Sequence, residues 1–411
     1  MNCKIDYITP VLEKISIGFT GELPGPMHRV DGRPSADARA EAQYLPALTG
    51  LRFLLGMWVI LHHLTGPRML LDQWNQSLPV ALQSIVRGGY LAVQTFFLLS
   101  GFVLAQSYAT TQWNRKSLTR FAVARFARIY PAYLLSLVLV SWFALQFALK
   151  PGRSLAQKAS VLADYAFVLQ GWTGSLGVGW NTPAWTLSCE FFFYLCFPLL
   201  FLWLGRGSLT RILTALGACL VTPIILAHAG VPGVWKPVHH LSDFVAGIAA
   251  ARIYGVMARC GFATKRLGFW LSAGAMVTAA GFIANPHVLD GTLMNLNTVL
   301  RPINVALLIG LATGGGFLVR LLSTEVAGYL GKASYSMYIL HIPLLWWFSQ
   351  YTTYRYGVAP PAWLGFTFMA VVIVLSIAAF EYVEAPANRW IRDWAAVRMQ
   401  GKRVRVLQAA A

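Results

Sequence analysis

Long apolar runs, interrupted by short polar and basic stretches, set the pattern of this chain. A helix needs about 20 mostly apolar residues to cross a bilayer. Ten stretches meet or approach that length: 46–64, 89–109, 129–149, 185–204, 211–229, 239–257, 267–284, 299–319, 333–350 and 362–382. The segment 150–184 does not. Its apolar piece, Val161 to Leu169, is too short to span as a helix, and Gly171, Gly174, Gly177, Gly179 and Pro183 follow it. A loop that partly re-enters, or lies on the membrane surface, is expected there. Residues 1–44 are polar and rich in Pro, Gly and Arg, without the basic, apolar and small-residue order of a cleaved signal. The expected fold class is an all-α polytopic membrane protein, a bundle of about ten transmembrane helices. Its membrane domain is expected at 45–392, after a disordered tail at 1–44 and before a basic tail at 393–411.

Composition supports this reading. Of 411 residues, 57% are hydrophobic and 12% charged, about half the charged share of a soluble domain. Too few polar residues remain to cover that apolar surface in water, and intrinsic disorder is excluded for the same reason. A net charge of +18 would suggest nucleic acid in a soluble protein. The positive-inside bias of membrane proteins accounts for it here, so no nucleic-acid partner is expected. With ten helices and the N-terminus inside, most basic residues fall on one side. They include Arg115, Lys116 and Arg120 after the second helix, Arg252, Arg259 and Lys265 after the sixth, and Arg389, Arg392 and Arg398 near the end. Lys150, Arg153 and Lys158 are the main exceptions. Both termini are therefore expected in the cytoplasm, with the chain integral to the cytoplasmic (inner) membrane and the lipid bilayer as its surroundings. The five cysteines form no CxxC pair and no Cys/His cluster at zinc spacing. Neither a metal nor a structural disulfide is expected.

Ionisable groups inside a membrane are costly and mark functional candidates. Arg52 and His63 share the first span, eleven residues apart. That is about 1100° of rotation, so both face nearly the same way, about 16 Å apart along the axis. His62 points about 100° away from His63. The bland alternative is an Arg52 that snorkels and a His pair at the outer interface. Glu190, in WTLSCEFFFYLCFP, is expected at the depth of His63. A carboxylate there would orient the ring and raise its basicity; a structural ion pair is the other reading. Arg120, Arg125 and Arg128 lie in RFAVARFARIYP. Arginine forks suit phosphate oxygens, although topology and anionic lipid explain the same residues. In GKASYSMYILHIP, Ser334, Tyr338 and His341 fall on one helical face, as a site or as interhelical hydrogen bonding.

Six segments together carry a resemblance: LTGLRFLLGMWVILHH, GYLAVQTFFLLSGFVL, RFARIYP, WTLSCEFFFYLCFP, LGKASYSMYILHIP and YVEAPANRWIR. In this order they resemble the acyltransferase-3 family of integral membrane O-acyltransferases, over about residues 46–392. The resemblance implies transfer of an acyl group, usually acetyl, from cytoplasmic acyl-CoA to a hydroxyl. Acyl-CoA is then a co-substrate, with no tightly bound cofactor. The implied acceptor is a carbohydrate of a surface or exported glycan, such as a polysaccharide, lipopolysaccharide or lipo-oligosaccharide. The family's Arg-x10-His motif falls on Arg52 and His63, which selects His63 over His62. Its arginine motif falls on Arg125 and Arg128, its Ser-Gly-Phe segment on Ser100, Gly101 and Phe102, and its glutamate on Glu190. Its late motifs fall on Ser336, Tyr338 and His341, and on Glu384 and Pro386. Many members carry Asp where this chain has Gln94. Some carry a soluble hydrolase-like domain after the membrane part. None is expected here, so the chain is expected to work alone or with polysaccharide-assembly proteins that present the acceptor.

On this reading Arg125, Arg128 and Arg120 hold the CoA phosphates, and the uncharged pantetheine arm enters the bundle. His63 acts as general base or takes the acyl group itself, with Glu190 orienting it and Arg52 steering the arm or stabilising the oxyanion. Ser100, Ser336, Tyr338, His341 and Glu384 line the channel or hold its walls. Two other classes remain open. A transporter or flippase of a lipid-linked sugar would also need buried polar groups. A polyprenyl-phosphate glycosyltransferase usually needs outer-loop acids, and the loop 65–88 has only Asp72.

Overall fold

A computed structural model describes residues 45–149, 152, 154–173, 181–205, 208–229, 235–290, 292, 294–356 and 360–409. The expected tail at 1–44 and the glycine-rich piece 174–180 lie outside the described residues. Among the described residues every regular element is helical. The main helices are α1 (Pro46–Leu64), α2 (Ala92–Ser107), α3 (Arg115–Leu149), α4 (Leu155–Ala166), α5 (Trp185–Gly205) and α6 (Leu209–His228). They continue with α7 (Lys236–Arg259), α8 (Lys265–Ala284), α9 (Leu296–Thr313), α10 (Glu325–Tyr356), α11 (Trp363–Ala379) and α12 (Ala385–Ala409). Nine helical stretches among the described residues are long and apolar enough to cross a membrane. The 32-residue α10 is also long enough, at about 48 Å; its hydroxyl, imidazole and indole side chains keep it out of that apolar set. The protein is an integral membrane helix bundle.

Local chemistry explains several helix ends. Pro46 opens α1 at a position where its missing N–H costs no hydrogen bond. Ser154 and Gln157 form a reciprocal capping box at the start of α4. At the end of α9, Gly314, Gly315 and Gly316 adopt φ of 89°, 102° and 81°, which side chains with a Cβ rarely tolerate.

Two elements differ from the sequence expectation. The third helix begins at Arg115 rather than 129, because RFAVARFARIYP is itself helical and carries its arginines into the bundle. The segment 150–184 contains α4, whose apolar side, Val161 and Tyr165, packs on Val140 of α3. Its charged and polar positions had masked a helix lying against its neighbour. α12 runs without a break across residue 392.

Prolines interrupt α3, α5, α6, α9 and α10. Each removes the N–H that would bond the carbonyl four residues earlier. Within lipid such a carbonyl needs another donor. Pro343 frees the Ile339 carbonyl, and the buried Asn181 side chain donates to it at 3.0 Å. Pro223 frees the Cys219 carbonyl, and the buried Arg301 donates to it at 2.6 Å.

The centre is aromatic. Phe97, Phe193, Phe197 and Phe244 are fully buried, with Phe193 stacked on Phe244 at 5.0 Å between centroids. α2 and α7 pack closely against each other. A Cβ on Gly101 would meet the Phe244 carbonyl, and one on Gly247 would meet the Leu98 carbonyl. The two backbones touch because neither position carries a side chain.

Candidate active site

One cavity, about 490 Å³ in volume, opens between α1, α2, α3, α5, α10 and α12. Its charged lining is five arginines, Arg52, Arg125, Arg128, Arg389 and Arg392, with Glu190 and Glu384. Arg389 and Arg392 are exposed on α12 and stand at the mouth. Val93, Phe96, Phe97 and Leu187 form the apolar wall, and Tyr338 and Thr186 also line the space. Ser100 sits in the lining beside Tyr194.

The arginines divide by partner. Arg128 pairs with Glu384; its guanidinium lies 5.5 Å from the Tyr335 ring centroid. Glu384 is 1% exposed and also accepts from Ser336 at 2.7 Å. It comes from a π-helical turn, Phe380–Glu384, and such turns redirect one side chain within a helix. Arg125 has no carboxylate partner among the described residues. Its guanidinium lies between the rings of Phe121 and Tyr194, at 5.8 and 5.9 Å. Arg120 is exposed and lies outside the cavity lining, so it does not join Arg125 and Arg128: a step of five residues turns it well away from the face they share.

Glu190 does not meet His63. Its carboxylate accepts from Tyr194 at 3.1 Å and is an electrostatic neighbour of Arg52, Arg128 and Arg125. Equal depth read from sequence says nothing about which side of its helix a residue occupies. Arg52 is likewise close to Tyr194 and Glu190. These groups form a charged floor within the cavity.

His63 instead meets His341. Its Nδ1 lies 2.9 Å from the Val59 carbonyl and 3.4 Å from His341 Nε2. The fully buried His341 has its Nδ1 2.6 Å from the Tyr338 carbonyl. A ring nitrogen beside a carbonyl must be the donor. Each Nδ1 therefore carries the proton, and His341 Nε2 receives a share of the His63 N–H. The Nε2 lone pair of His63 stays available. Tyr338 joins this pair to the cavity: its ring is 5.9 Å from Phe96 and 5.9 Å from His341. His62 turns aside to the Arg87 carbonyl, at 2.5 Å. The structure thus brings His63 together with His341 and Glu190 with Tyr194, rather than Glu190 with His63.

A second polar cluster lies in the core between α2, α7 and α9. Asp243 receives Arg301 Nε at 2.6 Å, Gln94 Nε2 at 2.9 Å and His240 Nδ1 at 3.0 Å. Asp243 is a buried charge within the apolar helix α7. Tyr194, Arg389 and Arg392 were missed. Arg389 and Arg392 read as ordinary positive-inside residues, and only the fold of α12 against α3 brings them to the mouth.

Comparisons with known proteins agree with this architecture. The acyltransferase domain family matches residues 45–381. The acyltransferase MdmB of Streptomyces mycarofaciens is 29% identical, over 84% of this chain and 92% of its own length. The peptidoglycan O-acetyltransferase OatA of Listeria monocytogenes is 22% identical, over 85% of this chain and 57% of its own. The O-acetyltransferase OatA of Staphylococcus aureus is 24% identical, over 84% and 58%. The chain thus spans under three fifths of both OatA relatives. No solved structure matches. The family match sets aside the transporter and glycosyltransferase alternatives: the chain belongs to the acyltransferase domain family of integral membrane enzymes.

Proposed function

We propose that the protein is an O-acyltransferase that moves an acyl group, acetyl in the simplest case, from cytoplasmic acyl-CoA to a hydroxyl of a cell-surface or exported carbohydrate. One observation carries this reading: Tyr338 lines an arginine-mouthed cavity and, through His341, joins it to the His63 imidazole, whose Nε2 lone pair is available. The O-acetyltransferase activity of the OatA relatives supports an O-linked acetyl product, and the peptidoglycan substrate of the Listeria enzyme supports a glycan acceptor. The positive-inside rule puts the arginine mouth in the cytoplasm, where acyl-CoA is made.

Arg125, Arg389 and Arg392 are the cations for the CoA phosphates, since Arg128 is already neutralised by Glu384. The uncharged arm extends along Phe96 and Phe97. His63 Nε2 takes the proton of the acceptor hydroxyl as its oxygen attacks the thioester carbonyl. The carbon–sulfur bond breaks, the CoA thiolate leaves, and the proton held by His63 passes to it, which restores the base. Arg52, about three helical turns from His63 and beside Glu190 and Tyr194, steers the donor arm. An acyl-His63 intermediate would use the same nitrogen; its isolation after mixing with acyl-CoA alone would replace the one-step route.

Deleting the protein and weighing the surface glycans tests the reading. Loss of one acyl mass per repeat, restored by the wild-type chain, is expected. Unchanged glycan masses would overturn it.

A further inference from the structure

His240 is not used by the steps above, yet its ring is held by a network of buried groups. Asp243, 1% exposed on its side chain, fixes it through Nδ1. The same carboxylate already has Arg301 and Gln94 as partners, so its charge is balanced without His240. Arg301 and Gln94 are in turn tied to the backbone at Cys219 and Asn297. This rigid network ends in one half-buried ring. The His240 ring lies 5.2 Å from Phe97 and 5.2 Å from Trp185. Lys236, one turn earlier on α7, has its ammonium 5.9 Å from the Trp185 centroid. With Nδ1–H given to Asp243, Nε2 is an oriented acceptor.

We propose that Trp185 and His240 form the subsite for one pyranose ring of the acceptor. A pyranose presents an apolar C–H face and a rim of hydroxyls. An aromatic ring, an oriented imidazole nitrogen and an ammonium are the groups that match both. Phe97 borders His240 on one side and lines the arginine cavity on the other. The ring subsite and the donor cavity therefore share Phe97 as a common wall. Trp185 opens α5, and His240 follows the first turn of α7. The inference rests on the carbohydrate acceptor proposed above.

Saturation-transfer NMR of the detergent-solubilised full chain tests it, with methyl pyranosides of glucose, galactose, mannose and N-acetylglucosamine as probes. At least one should receive saturation from the wild type. Trp185→Ala should abolish the signal. His240→Ala should weaken binding about tenfold, the loss of one oriented hydrogen bond, and His240→Gln should recover part of it. Asp243 and Arg301 stay intact in every variant, which protects the fold. Should the alanine variants unfold, Trp185→Phe and His240→Gln supply the comparison and should bind more weakly than the wild type. No bound pyranoside, or binding unchanged by substitution at both positions, overturns the subsite. A protein that binds a pyranoside through these residues but consumes no acyl-CoA thioester would retain the subsite and overturn the acyl-transfer reading.

Discussion

At the scale of single residues, the proposed chemistry centres on His63 and on a division of labour among arginines. His63→Ala should lower the rate of acyl transfer by about 10²–10⁴, the usual worth of a general base, while the protein still inserts. Thioester release from acyl-CoA measures it. Arg125 and Arg128 look alike in sequence but have different surroundings. Arg128→Ala leaves the Glu384 carboxylate, 2% exposed on its side chain, without its counter-ion. A stability loss of about 3–5 kcal/mol is expected by thermal unfolding. Arg125→Ala breaks no ion pair and should instead raise the KM for acyl-CoA about tenfold, by removing a charge-assisted phosphate contact. The Arg52 and His63 spacing was legible because both lie on one helix of known pitch. The Arg128–Glu384 pair joins residues 256 apart in sequence, and the His63–His341 pair residues 278 apart. Helical periodicity carries no information about such partners, which is why Glu190 stood in for His341.

At the scale of helices, apolar length announced each spanning element, and the bundle was legible for that reason. Polar helices were not. The first part of α3 and the whole of α4 carry charges and hydroxyls that read as loop, and packing on neighbours makes them helical. α12 is the instructive case. Its basic residues looked like a topology signal, but the π-helical turn at Phe380–Glu384 and its packing on α3 bring Arg389 and Arg392 to the cavity mouth. Replacing both with alanine should leave folding intact, since both are exposed, and raise the KM for acyl-CoA about tenfold, as lost charge-assisted contacts do. An unchanged KM would return them to topology alone.

At the scale of the whole molecule, the charge asymmetry and the site form one arrangement. The cavity opens beside the exposed Arg389 and Arg392, so on the proposed function a polyanionic donor would approach from a basic end of the bundle. The imidazole pair lies towards the other end, beyond Tyr338. The central claim is therefore transfer through the bundle, from donor on the basic side to acceptor on the other. Sealed membrane vesicles of both orientations, given radiolabelled acyl-CoA outside, test it most directly. Inside-out vesicles should label the enclosed glycan, right-side-out vesicles should not, and His63→Ala should abolish the labelling. Equal labelling in both orientations, or full labelling with His63→Ala, would contradict the account.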